Sequence, residues 1–436
     1  MSQGLKNLEK CVKAVALAWL VIVNLPVVCL AQSNYGLHIE AITFDGLQNN
    51  KESYLLQFIQ SQIGDSPSDS LLLQDVQRLK NIPSIGNASF TLDTFYNAIE
   101  VIFQAEEVKT ILPIIDFGTV TNNTWVRLGL YDSNWQGNGS FLSATYQIRD
   151  GHRHGGQLYY RASRISGSEW GLSATLNRLA SQEPLFFNDG IINYDYTNNE
   201  VGLTVIRQLG YRHQLELGGT YFTEKYVKSK NQTTDILAGP ARLTQPKYLS
   251  KLEYTADFLN YHYFYLSGFK LNVAFQNVFT VSDKSWFRSL QLSGKYFAIV
   301  NDNANLAIRL RAAVATNTDS PFAPFVIDSH VNIRGVGNRV ARGTAELIAN
   351  IEYRVTAYDS KKWGVQSVFF LDMATWRNPG KDLDTLFESA QSRQFLGGGF
   401  RFIYKEVHGA VIRIDYGTNI QDITQGGVVI GFGQYF

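Results

Sequence analysis

Leu142-Ser143-Ala144-Thr145-Tyr146-Gln147-Ile148-Arg149 alternates without a break. Leu142, Ala144, Tyr146 and Ile148 share one face, and Ser143, Thr145, Gln147 and Arg149 share the other. A period of two marks a β-strand with one apolar and one polar surface. Asp150 to Gly156 reads as a turn, and alternation resumes with Leu158 and Tyr160 against Tyr159 and Arg161. The same texture runs from Ile111 to the last residue. Leu306, Ile308, Leu310, Ala312 and Val314 oppose Arg309 and Arg311. Ala410, Ile412, Ile414 and Tyr416 oppose Arg413 and Asp415, and Val428, Ile430, Phe432 and Phe436 oppose Gly431 and Gly433.

A soluble sandwich also alternates, but three features favour lipid. Charges keep to the non-apolar face in strand after strand, the apolar face is rich in aromatic residues, and the final strand ends in Phe436. Strands in lipid must close into a ring, because an unpaired edge amide finds no water there. The expected fold is therefore a transmembrane β-barrel over residues 111–436. At about 20 residues per strand with its connection, it has about 16 antiparallel strands, with 14 or 12 as alternatives.

Composition agrees. Hydrophobic residues make up 45% of the 436, yet mean hydropathy is −0.13, so the apolar residues are dispersed rather than gathered into helical spans. The 27 Phe, 23 Tyr and 36 Gly suit aromatic girdles and tight turns.

One long apolar segment stands apart. Ala14 to Leu30 follows Lys6, Lys10 and Lys13 and ends at the small residues Cys29 and Ala31. This reads as a secretory signal peptide over 1–31, cut before Gln32. An uncleaved anchor is one alternative; lipoprotein processing at Cys29 is another, to which Val28 is poorly suited. Both cysteines, Cys11 and Cys29, lie in this leader, so disulfides, thiolate metal sites and cysteine catalysis are not expected beyond it. Removing the three lysines and Glu9 leaves the remainder within one charge of neutrality, which gives no reason to invoke nucleic acid.

Residues 32–110 read as one α+β unit of order β-α-α-β-β. His38 to Phe44 alternates and stops at the turn pair Asp45-Gly46. Leu55, Leu56, Phe58, Ile59 and Ile63 lie at helical spacing over Lys51 to Ile63, closed by Gly64. Ser68 or Asp69 can cap a second helix, in which Leu72, Val76 and Leu79 share a face before Pro83. Two strands follow, Ala88 to Leu92 and Ala98 to Ala105, joined near Tyr96-Asn97.

Counting back from Phe436 makes the connection of about residues 316–343 an extracellular loop between strands eleven and twelve. It carries Pro321-Phe322-Ala323-Pro324-Phe325-Val326-Ile327, too apolar for a loop in water, so it is expected to fold inward. Parity places Asn350, Glu352 and Arg354 in the lumen, with Gln366, Phe370 and Asp372 on the next strand. The carboxylates of Glu352 and Asp372 repel unless a cation sits between them. Arg334, on the loop, can bridge both with its forked guanidinium. On this reading Arg334→Ala loosens the loop and Asp372→Asn does so more mildly.

These residues resemble motifs of the BamA/TamA superfamily of outer-membrane assembly proteins. Ile333-Arg334-Gly335 is similar to its loop-six motif, Phe370-Leu371-Asp372-Met373-Ala374 to its Phe-x-Asp-x-Gly strand motif, and Glu352 to the acidic residue of the preceding strand. Val336 stands where the family has Tyr or Phe, and Ala374 where it has Gly. The N-terminal unit resembles a single polypeptide-transport-associated (POTRA) repeat, and the strand from Gly427 to Phe436 the family's Gly-containing last strand. The resemblance spans residues 38–436. It implies an outer membrane of a Gram-negative-type cell, with the POTRA-like domain in the periplasm. It further implies a loop-six lock of Arg334, Gly335, Glu352 and Asp372, and a lateral seam at Gly431, Gly433 and Phe436. Expected partners are outer-membrane lipid, periplasmic or accessory proteins met through the POTRA-like domain, and unfolded outer-membrane protein clients.

The remaining signals are bland. His152 and His154 lie in a turn with no third metal ligand. Gly397-Gly398-Gly399 lacks the Lys-Ser/Thr of a phosphate loop and opens a strand. No Ser-His-Asp arrangement can be placed, so no catalytic residue, metal or cofactor is expected. The leading functional expectation is assistance in inserting or translocating proteins. A lipid-handling or partner-anchoring member of the superfamily and a passive, loop-plugged, porin-like channel are the alternatives.

Overall fold

A computed structural model of the chain describes residues 37–95, 98–120, 123–165, 167–187, 190–229, 239–262, 264–317, 322–329, 332–337 and 341–436. The signal-peptide reading of 1–31, with Cys11 and Cys29, lies outside the described residues, as does the Tyr96-Asn97 turn.

The alternating segments form a closed barrel of 16 antiparallel strands, from Ile111–Val120 to Gly426–Phe432. Each strand pairs with its sequence neighbours, and the last meets the first. The outward face is apolar: Leu130, Leu203, Leu217, Trp286 and Phe369 are all more than half exposed. So much exposed apolar surface needs lipid around it. No helix among the described residues is long and apolar enough to cross a membrane.

The wall is uneven. The fifth and sixth strands, Trp170–Phe187 and Gly190–Leu209, run for 18 and 20 residues. The fifteenth and sixteenth, Val411–Asn419 and Gly426–Phe432, run for 9 and 7.

Ahead of the barrel lie β1 (His38–Asp45), α1 (Glu52–Leu55), α2 (Asp69–Lys80), β2 (Ile85–Phe95) and β3 (Ala98–Glu107). β3 is the central strand, parallel to β1 and antiparallel to β2. Leu55, Leu72, Leu79, Val101 and Phe103 fill the core between helices and sheet.

The first helix is shorter than its spacing suggests. α1 passes into a 3-10 turn that ends at Phe58, and Ile59 is extended. The cause is Asp75, whose buried carboxylate accepts the N–H groups of Gln60 (2.9 Å) and Ser61 (3.0 Å). A charge-assisted acceptor of this kind outcompetes one more helical turn, and Ile63 is left exposed. Ser68 takes the N-cap position of α2 without a side-chain capping bond.

The unit rests on one side of one rim of the barrel, against the turns that join its strands. Lys51 N–H donates to the Gly137 carbonyl (2.9 Å), and Asn134 Nδ2 donates to Asn50 Oδ1 (3.0 Å). Farther round, Asn81 Nδ2 donates to Tyr211 Oη (3.0 Å), and its Oδ1 accepts the Tyr261 N–H (2.9 Å). Arg78 lies 4.8 Å from the centre of the Tyr211 ring.

Two placements differ from the sequence reading. His154 belongs to the strand Arg153–Ala162, opposite Ile148, where its ring bonds Tyr146 Oη (2.6 Å); only His152 is in the turn. More important, the last strand stops at Phe432. Gly433 has φ +79°, a left-handed value that breaks the period of two. Phe436 therefore leaves the lipid face and packs in the lumen beside Phe297.

A lumenal site built on loop six

The long loop leaves the barrel after Ala315, re-enters at Ala345 and forms a short ladder, Phe325–Ile327 with Ala341–Gly343. Its apolar residues have partners inside. Ile327 and Ile333 pack with Ile348, Trp376 and Phe395 against the lumenal wall. Val336 and Ala374, the two departures from the family motifs, meet in this same cluster.

Burying Ile333 carries Arg334 into the lumen. Its backbone N–H and Nε donate to Asp372 Oδ2 (2.9 and 2.8 Å), and Nη2 donates to Oδ1 (2.9 Å). Nη1 donates to Glu352 Oε2 (2.8 Å). All three side chains are fully buried. Asn350 Nδ2 supplies a fourth donor to Asp372 (2.8 Å). The Phe370 ring centre lies 3.5 Å from the guanidinium carbon, close enough for a desolvated cation–π contact.

The lumen holds three further charges; strand parity placed Arg354 and Asp415 on the polar face without bringing them together, and Arg401 joins them. Arg401 Nη1 donates to Asp415 Oδ1 (2.7 Å), and Arg354 Nε donates to Glu352 Oε1 (2.8 Å). Asp415 lies 3.8 Å from Arg334. Arg334, Arg354 and Arg401 thus balance Glu352, Asp372 and Asp415 in one neutral, buried network. Burial on this scale is tolerable only because each charge has an opposite partner with directed hydrogen bonds.

Glycines make the close approach possible. Gly335 has φ +90°, and a Cβ there would overlap the Gly417 carbonyl. A Cβ on Gly417 would in turn overlap the Arg334 carbonyl, and one on Gly399 the Asp415 carboxylate. The glycine run 397–399 therefore lies within a strand, Ser392–Tyr404, and smooths the wall under the charge network. It does not open the strand.

A second contact set holds the loop across the barrel, and the sequence reading missed it. Arg342 Nε lies 3.5 Å from Glu183 Oε2. The Phe322 ring lies 5.3 Å from Tyr226 and 4.8 Å from Lys247 Nζ. The apolar character of residues 321–327 was the available signal; its partners on strands five to eight could not be named without the closed ring.

The ring is weakest where it closes. Among the described residues the last and first strands pair only at Val429–Gly118 and Ile430–Phe117. One further bond runs from Phe432 N–H to Asp116 Oδ1 (3.1 Å), beside the Asp116–Arg127 ion pair. Gly431 sits here, and a Cβ on it would press on Arg413 and Asp116. The structure thus places Gly431 at the junction, Gly433 at the bend beyond it and Phe436 away from it.

A closed 16-strand barrel with an apolar outer face, plugged by an inward loop, defines a class of transmembrane β-barrel. Solved structures share it. BamA from Haemophilus ducreyi lacking POTRA domains 1–3 matches 91% of this chain and 84% of its own at 14% identity, with a TM-score of 0.53. CdiB from Acinetobacter baumannii matches 91% and 74% at 13% identity (TM-score 0.57). CdiB from Escherichia coli matches 91% and 76% at 9% identity (TM-score 0.61). No family model and no curated protein matches the sequence. At these identities the likeness is one of fold.

Proposed function

We propose that the chain assists insertion or secretion of proteins at the outer membrane by opening the seam between its first and last barrel strands. The observation that carries this reading is the seam itself. Among the described residues two residue pairs join these strands, whereas seven join the fifteenth and sixteenth. Each missing ladder bond lowers the resistance to sideways parting by about 0.5–1.5 kcal/mol. The β-α-α-β-β unit acts as a POTRA-like periplasmic domain that offers a sheet edge to an extended client or accessory protein. Arg334, Glu352 and Asp372 act as the lock that keeps loop six in place, and no residue acts as a catalyst.

Gly118→Cys with Val429→Cys, a directly paired position, tests the reading in the full chain. The crosslinked barrel is expected to lose insertion or secretion of a reporter protein and to regain it with reductant. Full activity with a quantitatively formed crosslink would overturn the proposal. One observation favours a second reading, a passive channel. A polar cavity of about 460 Å³, lined in part by Arg161, Glu200, Glu216 and Lys251, remains in the lumen beside strands four to nine. A channel would conduct equally with the seam locked, and a lipid-handling or anchoring barrel would serve its partner unchanged.

A further inference from the structure

Gln434-Tyr435-Phe436 emerges from the last strand and enters the charge network that holds loop six. Arg413 Nη1 donates to the Gln434 carbonyl (3.1 Å), and Arg401 Nε donates to Gln434 Oε1 (3.1 Å). The Tyr435 ring lies 4.3 Å from the Arg334 guanidinium, on which Phe370 also packs. Tyr435 Oη donates to the Ser329 carbonyl of loop six (3.2 Å). Phe436 lies 5.1 Å from Arg309 and 5.7 Å from Arg354. Continued alternation would send Phe436 to lipid, where a single aromatic is well placed at the interface. The chain instead bends at Gly433, where a Cβ would meet nothing within 4 Å. Glycine is needed there for its positive φ, not for space.

We infer that this tail is a tether between seam and loop six. While Tyr435 covers Arg334 and bonds Ser329, the last strand cannot swing outward without disturbing the lock. Loop six, likewise, cannot leave without freeing the strand end. The two motions are thereby one event, and a client that parts the seam also releases the plug. The inference rests on the seam reading above for its purpose, but its contacts are independent of it.

The test measures external protease cleavage within loop six, using the full-length barrel in vesicles. Tyr435→Ala is expected to raise the cleavage rate roughly tenfold, the loss of one desolvated cation–π contact and a hydrogen bond. Tyr435→Phe, which keeps the ring, should raise it less. The Gly118–Val429 crosslink should lower cleavage when Tyr435 is present and have no effect in Tyr435→Ala. Wild-type cleavage in Tyr435→Ala, or equal protection by the crosslink in both backgrounds, would overturn the tether. Should the alanine variant not assemble, judged by heat-modifiable migration, Tyr435→Leu gives the same comparison in a barrel that keeps its bulk. Retained activity in the crosslinked barrel would sink the seam reading alone, because cleavage reports the tether without reference to activity.

Discussion

Arg334 aims its Nε, Nη1 and Nη2 at two buried carboxylates, and that fixes what its neighbours can become. Arg334→Ala leaves Asp372 without its cation and the network one negative charge in excess in a dry lumen, costing on the order of 3–5 kcal/mol; cleavage of loop six by external protease should rise steeply. Asp372→Asn, mild on the sequence reading, becomes severe on the observed geometry. All four of its bonds are donations to a carboxylate, so the amide NH2 of Asn would face donors. Its protease sensitivity should approach that of Arg334→Ala, and near-wild-type protection would contradict the geometry. Gly417→Ala pushes against the Arg334 carbonyl and should cost about 1–3 kcal/mol as overpacking, read as a lower Tm. Gly398→Ala, whose Cβ meets the Val368 carbonyl at 3.3 Å and the Phe369 ring at 4.0 Å, is the mild control. Arg334, Glu352 and Asp372 were legible because parity fixes which face a residue takes, and like charges on one face call for a cation. Arg401, Asp415 and Tyr435 were not, since period two says nothing about which residues meet across the lumen.

At the level of elements, the strands and the inward loop could be read from alternation and misplaced apolar residues. The failures occurred where a local competitor overrode the period: the Asp75 carboxylate ending the first helix, and the φ of Gly433 ending the last strand. The segment before the first barrel strand shows a further device. Lys109 N–H donates to the Glu406 carbonyl (3.0 Å), and His408 N–H donates to the Lys109 carbonyl (2.8 Å), clipping it to the turn after the fourteenth strand. Burial holds the His408 imidazole down at about 4, from an ordinary 6.5. Between those values an opened turn binds more protons than the closed one, so the clip's stability rises with pH over that window and falls with acid. Hydrogen exchange at the Lys109 and His408 amides should therefore quicken as pH drops from about 6.5 towards 4, after correction for intrinsic rates. It should be flat above about 7, and no acid response would rule out the buried neutral imidazole.

For the whole molecule, the order of a small α+β unit followed by a barrel was legible, but not how the unit sits on the rim, because its docking residues are ordinary polar side chains. Asn81 makes four of those contacts, to Tyr211, Leu259, Asn260 and Tyr261. Asn81→Ala should make residues 37–107 more sensitive to protease added to the face that carries the unit, while the barrel keeps its heat-modifiable migration. An unchanged digestion pattern would show that the Asn50 and Lys51 contacts suffice. The unequal strands carry a consequence for the surrounding lipid. At about 3.4 Å per residue and a tilt near 40°, a strand of 7 residues rises only about 18 Å, well short of a hydrocarbon core about 30 Å thick. The 20-residue strand on the far side overshoots that core. Acyl chains beside the last strand must shorten and disorder to follow the low wall. On the function proposed above, the barrier to a polar segment entering the bilayer is then lowest beside the seam through which such a segment would leave the barrel.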